Sequence, residues 1–142
     1  MKPLLQPATI LILWSMVMWA WLYLTRIPAM RAAGIDLVGR RGGTGKDLDG
    51  AVPDKVQWKA HNYNHLMEQP TLFYAVVLVL ALLGSTDETT VMMAWIYVAL
   101  RILHSLVQAL WNRTMVRWAI FMLASFVLLL LAIRAVALAY AP

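Results

Sequence analysis

His61, Asn64, His65 and Glu68 fall at positions i, i+3, i+4 and i+7 of the stretch KAHNYNHLMEQP, the spacing that lines one face of an α-helix. A second stretch, AWIYVALRILHSLVQALWNRTMVR, repeats the arrangement with Arg101, His104, Ser105, Gln108 and Asn112. Imidazoles, amides, a guanidinium and a carboxylate in such stripes suit three kinds of chemistry. They can contact a polar ligand, or they can hydrogen-bond across helices as interhelical glue. His61 and His65 with Glu68, and His104 from the second stretch, are also of metal-ligating type. The absence of cysteine excludes disulfides, thiolate metal sites and a cysteine nucleophile.

These stripes sit in a chain of 142 residues that is 62% hydrophobic and 13% charged, against about 25% charged in a soluble domain. A bilayer span needs about 20 apolar residues. Spans are expected over about 7–25, 65–84, 91–111 and 115–139, joined by a long loop over 26–59. The expected architecture is all-α, one integral-membrane four-helix bundle over residues 1–142. The first apolar run is too long for a signal peptide and has no clear small-residue cleavage site, so it reads as a retained helix. Leu72 to Gly84 is too short to cross alone, so the second span must begin near His65. That puts Glu68, Gln69 and Pro70 inside the membrane, where they must face a bundle interior or wet cavity. Pro70 predicts a kink at Gln69 and freed carbonyls in need of partners.

Charge placement sets an orientation. Arg26, Arg31, Arg40, Arg41, Lys46, Lys55 and Lys59 lie in the first connection, Arg113 and Arg117 in the last, whereas STDETT between them is acidic. The positive-inside rule makes the first loop and last turn cytoplasmic and both termini external. The net charge of +5 is thus a feature of membrane topology, and no nucleic-acid partner is expected. Arg101 is close to mid-span, where an unpaired arginine costs roughly 2.5–3.5 kcal/mol on insertion scales. Glu68 is expected to neutralise it, within one subunit or across two. Arg117, in a short basic turn, suits a phospholipid headgroup, and Arg134 near the outer end of the last helix is expected to snorkel. Trp14, Trp19, Trp21 and Trp95 read as packing or interfacial anchors. The string GRRGGTGKD has the wrong glycine spacing for a phosphate loop, and Asp47 follows Lys46 where a hydroxyl residue is needed.

Four helices, a long basic first loop, "KAH" nine residues ahead of the helix-two proline, and Arg101, His104 and Arg117 at their spacings together resemble the MAPEG family. These are the membrane-associated proteins in eicosanoid and glutathione metabolism, and the likeness to their prostaglandin E synthase branch covers nearly the whole chain. The resemblance implies a homotrimer binding glutathione between neighbouring subunits near the cytoplasmic side. It assigns Arg117 to the glutathione thiolate and Lys59 and His104 to the peptide. It also makes His61, Asn64, Glu68, Arg101 and Gln108 candidate ligand contacts. It implies transferase or peroxidase action on a lipophilic electrophile, or else lipid presentation without glutathione chemistry. Compact size and the lack of a eukaryotic targeting signal suit a bacterial inner membrane. The chain departs from the family motif Arg-Ala-His-x-Asn-Asp-x-Glu at Lys59, Tyr63 and Leu66, with Asn62, Asn64 and Glu68 displaced by one or two positions. Gln108 stands where a tyrosine is common.

Overall fold

The computed structural model describes residues 2–39, 41–85 and 87–141. Five α-helices follow one another: α1 (Lys2–Ala32), α2 (Asp54–Leu66), α3 (Pro70–Leu82), α4 (Glu88–Leu110) and α5 (Thr114–Ala139). A short 3₁₀ turn, Gly45–Leu48, interrupts the first connection. No strand occurs among the described residues. Helix α2 runs into α3, so Asp54–Leu82 forms one membrane-length segment, and α1, α4 and α5 supply the other three. The chain is an all-α integral membrane protein.

Each span follows from its side chains. In α5, 26 residues extend ~39 Å at 1.5 Å per residue, enough to cross a bilayer. Leu123, Phe126, Leu129 and Ile133 are exposed on its outer face, where lipid tails solvate them. Ala124, Leu128, Leu131 and Ala135 turn inward, the small residues allowing close helix approach. Helix α4 contacts α1, α2 and α5, while α3 contacts α1 and α5. Leu11, Met18, Phe73, Val77, Ala94 and Tyr97 meet in the interior. Phe73 and Tyr97 stack with ring centroids 4.3 Å apart.

Helix α1 continues seven residues beyond the apolar run, and α2 starts well before it, so the non-helical part of the first connection is shorter than 26–59. Hydropathy marks the lipid-facing part of a helix and misses its polar ends. The expected kink is a full break. Helix α2 ends at Leu66, residues 67–69 form a turn, and Pro70 opens α3, a position where the missing N–H costs nothing. The break leaves the His65 carbonyl available to a side chain from another helix. At the far end Gly84 adopts φ 75° after α3, a left-handed geometry that glycine enters freely. Asn112, at φ 55°, turns the chain from α4 into α5, its N–H reaching the Val107 carbonyl at 2.7 Å.

Candidate functional site

The C-terminal half of α2, the last turns of α4 and the first turns of α5 line an open cavity of about 390 Å³. His61, His65 and Glu68 reach it from α2, His104 and Gln108 from α4, and Arg117 from α5. Phe121 forms part of the wall, its ring 5.4 Å from that of His65 and 6.4 Å from that of His104. The two imidazoles lie 4.9 Å apart between centroids. Three histidines and an arginine against one carboxylate make a site suited to an anion that also offers hydrogen-bonding groups.

Arg101 is fully buried beside the cavity. The sequence predicts Glu68 as its partner, but within the chain a different arrangement holds. Glu68 is 68% exposed and turns back to His65 Nδ1 at 2.9 Å. Arg101 Nη2 instead donates to the His65 backbone carbonyl at 3.0 Å, and Nη1 stands 3.5 Å from His65 Nε2. At the end of α2 that carbonyl otherwise takes the Glu68 N–H, at 3.4 Å. Backbone geometry, not a second charge, receives the buried guanidinium, and its Nε is left without a partner.

The rest of the α2 stripe divides. His61 lines the cavity and lies 3.4 Å from Asp49 in the first connection. Asn64 is exposed and contributes nothing to the cavity wall. Asn62 takes the interior position that sequence reasoning missed: fully buried, it donates from Nδ2 to Ser105 Oγ at 2.5 Å. One helical residue is ~100° of rotation, so Asn62 and Asn64 lie on opposite flanks of the His61–His65 line. The flank facing α4 is that of Asn62. Ser105 on the α4 polar face was the available signal. Lys59 is buried on the side of α2 that faces α1, with Nζ on the Lys55 carbonyl at 2.6 Å and 5.5 Å from the Trp21 ring centroid. It does not line this cavity. Asn112 ends α4 as a left-handed cap and is outside the stripe expected of it.

Two buried polar atoms at the cavity, Gln108 Oε1 and Arg117 Nε, have no partner among the described residues. Buried polar groups ordinarily find one, and a lone one costs about 1–3 kcal/mol. The tether on the other side is complete. Arg26 Nη2 donates to Gln57 Oε1 at 2.8 Å, and Gln57 Nε2 donates to the Gly45 carbonyl at 3.0 Å and to Asp49 Oδ1 at 2.5 Å. That hydrogen bond from Gln57 is the main cause holding the Asp49 carboxyl below its ordinary range; desolvation opposes it, and His61 and Arg26 add to the lowering. The first connection is thereby fastened to the rim of the cavity. Among the described residues no three histidine or acidic side chains come together as metal ligands.

A family model, that of the MAPEG family, matches residues 4–137, nearly the whole chain. The chain belongs to the MAPEG family. No curated protein and no solved structure matches it. For this MAPEG chain, His61, Glu68, His104, Gln108 and Arg117 meet in one cavity with Arg101 directly behind them, whereas Lys59 and Asn64 stand apart from it.

Proposed function

We propose that this MAPEG protein binds glutathione in the α2–α4–α5 cavity and transfers its thiolate to a lipophilic electrophile, or uses it to reduce a lipophilic peroxide. The observation that carries the reading is the pair of unsatisfied buried atoms, Arg117 Nε from α5 and Gln108 Oε1 from α4, at a histidine-lined cavity. A ligand with anionic and amide groups would satisfy both. A volume of about 390 Å³ falls in the range of small-molecule sites, ~300–1,000 Å³. Donors and acceptors present therefore fit glutathione.

In this reading Arg117 lies against the sulfur and favours the thiolate over the thiol. A free thiol has a pKa of about 8.5, and each unit of lowering takes about 1.4 kcal/mol of differential stabilisation. A half-buried guanidinium is suited to supply it. In transfer, the sulfur lone pair forms the new bond to an electrophilic carbon while the leaving group departs with its electron pair. His104 and Gln108 orient the peptide, and Arg101, through the His65 carbonyl, holds His65 in place. The remaining proposals rest on the same footing: a homotrimer, the first loop and the α4–α5 turn cytoplasmic, both termini outside, and a bacterial inner membrane. Basic connections at one end of the bundle and an acidic one at the other support the topology.

Ultraviolet absorbance of the thiolate tests the chemistry. Glutathione added to purified protein near neutral pH should produce it, and Arg117→Ala should abolish it. The competing reading, a lipid-binding member without thiol chemistry, draws on Trp118, which lines the cavity yet is 57% exposed. It predicts lipid retention in the cavity and no thiolate signal in either protein.

A further inference from the structure

A second cavity, about 810 Å³ and larger than the first, lies between the last turns of α1 and the chain that folds back over them. Its walls are of two kinds. Tyr23, Ile27, Leu37 and Val38 supply apolar surface, and Arg26 and Arg31 supply cationic groups. Arg26 Nε is buried, and neither it nor Arg31 has a partner among the described residues. The two acids lining the cavity are committed to the turns that build it. Asp36 accepts from the Val38 N–H at 2.8 Å, and Asp47 accepts from the Thr44 N–H at 2.8 Å.

Leu37 and Val38 are 58% and 88% exposed, in a connection that follows a membrane-spanning helix. Large apolar side chains so placed favour insertion into the boundary between headgroups and acyl chains. The arginines are then at headgroup level, with Arg41 and Lys46 exposed on the same connection. Guanidinium groups match phosphate geometry well, and basic clusters at a membrane surface attract anionic lipid. A free anion would leave the apolar wall unused.

We infer that this cavity holds the headgroup phosphate of an anionic membrane phospholipid against Arg26 and Arg31, with its acyl chains leaving past Leu37 and Val38. The site is separate from the glutathione cavity and does not depend on how that cavity is read. The bound lipid would anchor the first connection to the membrane surface at the end where Asp49 reaches His61.

Native mass spectrometry of the full chain in detergent tests this, with phosphatidylglycerol and inorganic phosphate titrated separately. The wild type should retain one phosphatidylglycerol per chain. Because Arg26 also ties Gln57, the primary variants are Arg31→Gln and Val38→Ser, at exposed positions that leave the tether intact. Each should lower lipid occupancy several-fold at fixed lipid with an unchanged melting temperature, and Arg26→Gln/Arg31→Gln should lower it further. Unchanged occupancy in folded Arg31→Gln and Val38→Ser would overturn the inference. So would inorganic phosphate that displaces the lipid at equal concentration, since the site would then be one for free anions.

Discussion

The two ends of the bundle treat polar groups in opposite ways. At the α3–α4 end, Asp87 caps α4 through the Thr90 N–H at 2.9 Å. It also receives the hydroxyls of Thr90 and Ser85 at 2.7 and 3.0 Å and pairs with Arg134 at 2.9 Å. Arg134, expected to snorkel, reaches the end of the bundle and bridges α5 to the start of α4 there. At the α4–α5 end, Arg117 Nε, Gln108 Oε1 and Asn112 Oδ1 are buried without partners. One end closes its hydrogen-bond account internally. The other presents donors and acceptors that have no partner among the described residues. Polarity in a membrane protein therefore marks function less by its presence than by what it is left needing.

The comparison can be strained from both sides. The largest stability effect is expected at the α4–α5 end, at the buried Asn62–Ser105 pair. Asn62→Ala strands buried Ser105 and should cost about 1–3 kcal/mol, read as a drop in detergent melting temperature. Asp87→Ala removes a cap worth about 0.5–2 kcal/mol together with the Arg134 bridge, so thermal stability should fall while glutathione affinity stays unchanged. Gln108→Leu should do the reverse. It removes an unsatisfied buried acceptor, so stability should hold or rise by up to about 1 kcal/mol, while ligand affinity falls in calorimetry. A variant in which both quantities move together would erase the distinction between the ends.

The smallest effect is one of pH. Hydrogen bonds from Thr90, first from its hydroxyl and then from its backbone, hold the Asp87 carboxyl below its ordinary 3.8. A depressed carboxylate stabilises the fold fully above its unfolded value and loses that contribution as pH falls through the folded one. Melting temperature should therefore decline on acidification below 3.8, and Asp87→Asn should flatten that part of the profile. An unchanged profile in the variant would assign the acid sensitivity to other carboxyls, Asp49 first among them.

Much of the scaffold was legible because lipid imposes a simple rule: an apolar run of sufficient length must be a helix. Pro70 announced the break in the second span for an equally local reason, its missing N–H. What stayed hidden depends on neighbours. Helix α2 lies between α1 and α4, so it has two buried flanks, and a single-stripe reading of His61, Asn64, His65 and Glu68 could not say which side of the stripe was covered. Asn62 lies on the covered side and Asn64 on the open one. Arg101 illustrates the same limit. Counting charges points to Glu68, but the guanidinium takes the His65 carbonyl at the end of α2. Phe121 carried no sequence signal as a wall of the site, since nothing in the α5 apolar run separates it from Phe126, which faces lipid.

Calorimetry of glutathione binding to the detergent-purified protein, wild type beside Arg117→Ala, tests the central claim most directly. Saturable binding to the wild type, weakened at least tenfold in the variant at an unchanged melting temperature, is the predicted result; tenfold corresponds to about 1.4 kcal/mol. Absence of binding to the wild type at millimolar glutathione, or equal affinity in the two proteins, would contradict it.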